Sequence, residues 1–376
     1  MRVYFDNAST TPLLEEVKDR MCSVIKENYG NPSSIHQFGR QSRIIVEDAR
    51  SLIAKGLNAS SSEIFFTSGA TESNNMVLFC SIRDLGIQRI ISSPIEHHCI
   101  LHTLDQIEKQ GLAKVEYLAV DNRGHIDYSQ LEQMLSADDS KTLVSLMHAN
   151  NEIGSMHDLE RISEICKNHN SLFHCDTAQT IGKIAFDLNE LNISFLSGSA
   201  HKFFGPKGVG FIYINQDNLI RPMMHGGDQE RGMRSGTENI YGIAGMAEAF
   251  RLSLEEMDIR KARISELREY CINRLKEEYE DVRINGSETS YLYNILSVSF
   301  PESPKNEMLM MNLDIAGICA SGGSACSSGV ENDTHVLSHI NHDPKRKTVR
   351  FSFSHFNTKE EVDYLIEKLK DLVPRK

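Results

Sequence analysis

The sequence has no CxxC pair. Its eight cysteines stand at positions 22, 80, 99, 166, 175, 271, 319 and 326, and the closest two are seven residues apart. That spacing suits neither a zinc knuckle nor a disulfide framework, so free thiols of a reducing cytoplasm are expected. No apolar run approaches the roughly 18 residues that span a bilayer, so no membrane segment is expected. The opening MRVYFDNASTT lacks an apolar h-region, and no secretory signal is expected either. Basic runs are equally scarce: none is longer than PKRK (residues 344–347), and the net charge is −12. Direct binding of nucleic acid, which needs a concentrated basic surface, is thereby disfavoured. Repeats with a period of roughly 20–50 residues are missing, as is any low-complexity tract beyond one short Gly/Ser stretch, which excludes a solenoid.

What is present suffices for a large core: 376 residues, 40% of them hydrophobic, enough for two or three folding units. Short apolar runs alternate with helical patterns. Residues 63–67 (EIFFT), 89–94, 114–120, 142–149, 171–176, 193–198 and 208–214 read as strands. The helical character between most of them predicts an α/β fold with a largely parallel sheet covered on both faces. From Ala244, AGMAEAFRLSLEEMDIRKARISELREYCINRLKEEYEDV reads as one long charge-rich helical stretch leaving the sheet. YNILSVSFP, ASGGSACSSG, TVRFSFS and KEEVDYLIEKLKDLV follow, a pattern for a smaller α+β unit joined by the N-terminus.

Several stretches carry chemistry. TSGATESNN turns from a strand into a helix and offers backbone N–H groups at the positive end of the helix dipole, an anion cradle; ordinary N-capping uses the same residues. Lys202, in FLSGSAHKFFGPKGVG, follows an expected strand. A lysine in a partly desolvated pocket can form a Schiff base, against the ordinary alternative of a surface lysine in a turn. GPKGVG lacks the order of a nucleotide P-loop. Asp176, in HCDTAQT, sits where a strand should end, suited to hold a protonated heterocyclic nitrogen or merely to cap the next helix. His97 and His98 are adjacent and face different ways, so stacking on an aromatic cofactor or acid–base work suits them better than metal binding. Cys326 lies among small residues only, in ASGGSACSSG, where nothing packs it.

These motifs, with VYFDNASTTP, YGNPSS, EHH, HANNEIG, RGMRSGTEN and VRFSFS, occur in the order and approximate spacing of the NifS/IscS-like cysteine desulfurases, and the sequence resembles that family along essentially its whole length. The resemblance implies a pyridoxal-phosphate enzyme of the class-V aminotransferase type, with the transferase fold of type I. It implies a large cofactor-binding domain over residues 13–250. Residues 1–12 and 251–376 would form a small domain carrying a mobile loop at about 320–330 with the catalytic cysteine.

Carried over residue by residue, the resemblance makes Lys202 the Schiff-base lysine. Ala70, Thr71, Ser199 and His201 would hold the phosphate, and Thr237 would reach it from the second subunit of a homodimer. Asp176 would pair with the pyridine nitrogen, Gln179 with the phenolic oxygen, and His97 would stack on the ring as cofactor contact and catalytic residue. Asn151 and Arg350 would grip the substrate carboxylate, and Asn151 would also contact the cofactor. Cys326 would take sulfur from L-cysteine as a persulfide, leaving L-alanine, and pass it to a sulfur-acceptor protein, with iron–sulfur cluster assembly among the destinations. No resident metal is implied, although Cys326 is a candidate transient iron–sulfur ligand. A selenocysteine lyase or aminotransferase of the same fold is the nearest alternative, and a non-catalytic sulfur-transfer scaffold the next. An aminotransferase has no use for a tethered thiol, and a scaffold needs no combination of Lys202, Asp176, Gln179 and Cys326. Asp228 departs from the family's pattern, standing where relatives often carry a third glycine, just before Arg231 and Arg234. Cys319 is expected in a strand and buried, and the other six cysteines are expected to be structural.

Overall fold

The structure, a computed structural model, describes residues 1–322 and 334–374. In chain order its strands are β1 (Val3–Tyr4), β2 (Ile64–Thr67), β3 (Arg89–Ser92), β4 (Lys114–Tyr117), β5 (Thr142–Met147), β6 (Leu172–Asp176), β7 (Phe195–Ser199), β8 (Gly210–Ile214), β9 (Arg283–Asn285), β10 (Ile295–Phe300), β11 (Ile318–Cys319) and β12 (Lys347–Ser352). The helices are α1 (Glu15–Glu27), α2 (Gln37–Gly56), α3 (Ala70–Leu85), α4 (His98–Lys109), α5 (Tyr128–Ser136), α6 (Leu159–Asn168), α7 (Ile240–Glu255), α8 (Met257–Glu278), α9 (Leu309–Ile315), α10 (His335–His339) and α11 (Lys359–Leu372).

Seven strands form one sheet in the order β2-β8-β7-β6-β5-β3-β4. All run parallel except β8, which is antiparallel to both neighbours. The sequence explains why the sheet is covered twice. Successive strand residues point to opposite faces, and here both faces receive apolar side chains. Phe66, Ile91, Val144 and Phe211 enter a core with α1, α2, α6 and α7. Their neighbours Phe65, Ile90, Leu143 and Ile212 enter a second core under α3 and α4. Each such buried side chain contributes roughly 1.5–3 kcal/mol.

The stretch from Ala244 is two helices rather than one, broken at Glu256. The reason is that its halves serve different cores. The apolar α7 packs under the large sheet, whereas α8 joins a third core built on β10, β12 and α11. That core surrounds the antiparallel sheet β12-β10-β9, and Val3, Phe5 and Ala8 of the N-terminus enter it. The two-residue β1 pairs in parallel with β11, and an isolated bridge joins Asp6 to Ser352.

Parallel strands place their carboxyl ends along one edge. Thr67, Ser92, Met147, Asp176 and Ser199 all end their strands there, with Met147 opposite Asp176 and Asp176 opposite Ser197 in register. The turns leaving those strands carry the candidate site. Among the described residues no helix is long and apolar enough to cross a membrane.

Candidate active site

A cavity of about 600 Å³ opens at the carboxyl edge. Ala70, Thr71, His97, Asn151, Asp176, Gln179, Ser199, His201, Lys202 and Arg350 all line it. Thr237 does not; it is exposed and lines a neighbouring cleft of about 220 Å³ that shares Ser68 and Gly208 with the cavity. Cys326 lies outside the described residues.

At one end of the cavity α3 begins. Its N-cap, Gly69, has φ +153°, a conformation other residues rarely adopt, and no side chain caps the helix. The first-turn N–H groups therefore face the cavity without a protein acceptor from the cap, as anion binding at a helix N-terminus requires. Ser199 stands beside them: a Cβ on Gly69 would lie 3.4 Å from its Oγ.

Asp176 is held by two groups of the fold. Its Oδ1 accepts from Ala178 N at 2.9 Å, and its Oδ2 accepts from Asn74 Nδ2 at 2.7 Å. Asn74 Oδ1 in turn pairs with His174 Nε2 at 3.2 Å, and His174 Nδ1 pairs with Ser145 Oγ at 2.9 Å. Burial pushes the His174 imidazole down to about 4, so it is neutral and can donate from Nε2 to Asn74. Gln179 donates from Nε2 to Ala8 O at 3.0 Å, while its buried Oε1 has no partner among the described residues.

Lys202 closes a short 3₁₀ turn, Ala200–Lys202, directly after β7, and Nζ donates to Ala8 O at 2.7 Å and Ser9 O at 2.8 Å. Lys183 supports it from behind: its buried Nζ donates to Gln179 O at 2.7 Å and to Lys202 O at 2.9 Å. His201 Nδ1 meets Thr10 Oγ1 at 3.2 Å, and burial with the lysines around it pushes this imidazole down to about 4. His97 caps α4, its Nδ1 accepting from Cys99 N at 3.1 Å, which leaves the ring proton on Nε2. Burial, opposed by Asp176, lowers its proton affinity. His98 turns away from the cavity toward His102 and His335, with ring centroids 5.0 and 4.6 Å apart. Arg350, from β12, donates from Nη1 to Asn151 O at 2.7 Å and from Nη2 to Asp6 and Ser9.

Some expectations need correction. Cys319 is in a strand, as read, but exposed: β11 is two residues long, and alternation sends Ile318 inward and Cys319 out. Cys22 is exposed as well, and Cys99 is a half-buried thiol lining the cavity rather than a core cysteine. Burial and Asp176 push the Cys99 thiol up to about 12, which keeps it protonated. Arg231 donates to Ile64 O, and Arg234 pairs with Glu72 of α3 at 2.8 Å. Between them and Asp228, Glu230 is buried in a bidentate pair with Arg50.

Sequence reasoning gave no role to Asn74, Lys183, Ala8, Ser9 or Asp6. The first lies in a quoted motif, TESNN, and the last three in VYFDNASTTP, whose run of small polar residues after a very short strand was the available signal. Lys183 had none.

A lysine, an aspartate and an uncapped helix N-terminus meeting at the carboxyl edge of such a sheet define an enzyme of the aminotransferase fold class. Comparison with known proteins narrows this. Residues 3–365 match the family described as Aminotransferase class-V. The chain is 43% identical to "Cysteine desulfurase IscS" of Dictyoglomus turgidum, covering 100% of this chain and 97% of that protein. It is 38% identical to "Putative cysteine desulfurase IscS 1" of Bacillus subtilis, covering 100% and 99%. Among solved structures it is similar to a "NIFS-LIKE PROTEIN", with a TM-score of 0.91 and 40% identity over 98% of each chain. "SspA in complex with cysteine" superposes with a TM-score of 0.81 at 31% identity, over 95% of this chain and 100% of that one. The chain belongs to the class-V aminotransferase family, among its IscS- and NifS-like cysteine desulfurases, which are pyridoxal-phosphate-dependent enzymes.

Proposed function

We propose that the chain is a pyridoxal-phosphate-dependent cysteine desulfurase that converts L-cysteine to L-alanine and leaves the sulfur on Cys326 for a sulfur-acceptor protein. The observation that carries this reading is the meeting of Lys202, Asp176 and the uncapped start of α3 in one cavity with Arg350 at its wall. The donor set fits the cofactor. First-turn N–H groups of α3 with Ser199 and His201 suit a phosphate, the Asp176 carboxylate suits a pyridinium, and the orphaned Gln179 Oε1 needs a partner from the cavity. When bound, pyridoxal phosphate supplies an electron sink that weakens the bonds around the substrate's Cα and so the carbon–sulfur bond.

The chain's own groups would do the rest. Asp176, fixed by Asn74, would keep the ring nitrogen protonated, and His97 would lie against the ring face. Ala70 and Thr71 would seat the phosphate, Lys202 Nζ would hold the cofactor and then move a proton at the substrate's Cα, and Arg350 with Asn151 would orient the substrate carboxylate. The Cys326 thiolate would attack the substrate sulfur, so that an S–S bond forms as the carbon–sulfur bond breaks. The electron pair and a proton go to carbon, giving L-alanine.

Residues 13–250 would form the cofactor-binding unit, and residues 1–12 with 251–376 the smaller unit that carries Cys326. Thr237, exposed and outside its own cavity, would complete the phosphate site of a second copy, which makes the working form a homodimer. The cytoplasm is the compartment proposed, and iron–sulfur cluster assembly the first destination to test for the sulfur.

Protein loaded with pyridoxal phosphate is incubated with L-cysteine and dithiothreitol, and sulfide and alanine are measured together. Equimolar products are expected, with dithiothreitol reducing the persulfide to release sulfide, and Cys326→Ala should lose sulfide while keeping the bound cofactor's absorbance. A mutant that releases sulfide as fast as the unmodified protein would overturn the role of Cys326.

A further inference from the structure

Arg350 is buried, its side chain only 2% exposed, yet its Nε has no hydrogen-bond partner among the described residues. A buried guanidinium N–H without an acceptor is costly, and one at the wall of a substrate cavity points to a ligand that completes it. A carboxylate grips a guanidinium at two places, side-on through Nε and Nη2 or end-on through Nη1 and Nη2. Both require a proton on Nη2. Here Nη2 already carries two acceptors, Asp6 Oδ1 at 2.8 Å and Ser9 Oγ at 2.7 Å. Nη1 is tied to Asn151 O at 2.7 Å. The fork in this structure is therefore closed to a second carboxylate.

Asp6 and Ser9 are unequal obstacles. The Ser9 hydroxyl also donates to Asp6 Oδ1, at 2.8 Å, and can keep its place on Nη2 when Asp6 leaves. The Asp6 side chain is 21% exposed and can turn into water, and its charge repels any carboxylate that approaches the same guanidinium. Departure of Asp6 relieves Nη2 of one of its two acceptors, and Nη2 with the orphaned Nε is the donor pair that a side-on carboxylate takes.

We propose that Asp6 is an internal carboxylate that occupies the Arg350 fork and is displaced by the carboxylate of the amino-acid substrate, so that it sets the substrate's apparent affinity. This rests on the reading of Arg350 as the carboxylate grip. Without substrate, Asp6 neutralises a buried cation that would otherwise stand unpaired. With substrate, it moves out, and the apparent affinity is lowered by the fraction of molecules whose fork is closed.

The test uses the pyridoxal-phosphate-loaded protein and Asp6→Asn, which keeps the size and a weaker, neutral hydrogen bond. KM for L-cysteine and, by calorimetry, Kd for the product L-alanine are both expected to fall roughly fivefold, and the change in kcat/KM should be carried by KM. A KM and Kd that stay level or rise, with the melting temperature held, would overturn the proposal and make Asp6 a residue that orients Arg350 instead. Should Asp6→Asn fail to fold, Asp6→Ser carries the same expectation. Arg350→Gln is run beside them and should lose L-alanine binding. Normal binding in that variant would overturn the reading of Arg350 itself, whatever Asp6→Asn does.

Discussion

Lys183 is a buried amine that donates to two backbone carbonyls, and both belong to residues that line the cavity, Gln179 and Lys202. Burial, helped by the charge of Lys202, pushes it down from 10.5 to about 7. A folded-state value below the unfolded one means that between about pH 7 and 10.5 the unfolded chain holds the proton that the folded chain has released. Stability from this group therefore rises with pH through that window, and is lost as pH falls toward 7. Between pH 7 and 9 the gain is about 2 kcal/mol, and for a chain of this size that raises the melting temperature by about 3 °C. Lys183→Met removes the titrating group and its hydrogen bonds to the carbonyls of Gln179 and Lys202, at a cost of about 1–3 kcal/mol each. The mutant should thus melt below the unmodified protein at pH 9, and the gap should narrow by about 3 °C at pH 7, since every other titration cancels in the difference. Differential scanning calorimetry of both proteins at several pH values reads this directly. A gap that is flat with pH, or that widens toward acid, would refute the burial of a lysine that is neutral under alkaline conditions.

Two further outcomes follow from neighbouring contacts. Asn74→Ala removes the 2.7 Å donor to Asp176 and strands the His174 ring, so cofactor affinity, read by titrating the stripped protein with pyridoxal phosphate, should weaken by about tenfold; unchanged affinity would separate Asp176 from the cofactor. Arg50→Ala leaves Glu230 buried and unpaired beneath the turn that carries Arg234 and Thr237, and denaturant unfolding should show a loss of about 3–5 kcal/mol. A loss under about 1 kcal/mol would mean that the pair is solvated.

The division between what could and could not be read in the sequence follows from how far each signal travels along the chain. Every strand of the large sheet was legible, several of them because a strand buried on both faces is largely apolar, as TLVSLM and IFFT are. Lys202 and Asp176 were legible for a related reason: Asp176 ends one such strand and Lys202 closes the turn directly after another, so locating the strand locates the residue at the carboxyl edge. The antiparallel course of β8 was not, since the direction of a strand depends on the connection and not on its composition. Nor was the break at Glu256. No proline or glycine stands there, and only the change of partner, from the core under the large sheet to that of α8 and α11, requires it.

The supporting ring of the site was the least legible part. Asn74 meets Asp176 across 102 positions and Asp6 meets Arg350 across 344. Neither partner's residue type demands the other, because an asparagine in a helix and an aspartate after a strand are both satisfied by ordinary capping. What distinguishes them is saturation. Asp176 has a donor on each oxygen and so a fixed orientation, whereas Arg350 has two of its nitrogens engaged and the third orphaned. The first arrangement is finished before any ligand arrives, the second only when one does. On the proposed reading, Asp176 would meet the cofactor in an orientation already fixed, and the contacts that change on every turnover would gather at Arg350, where the substrate carboxylate would enter and leave.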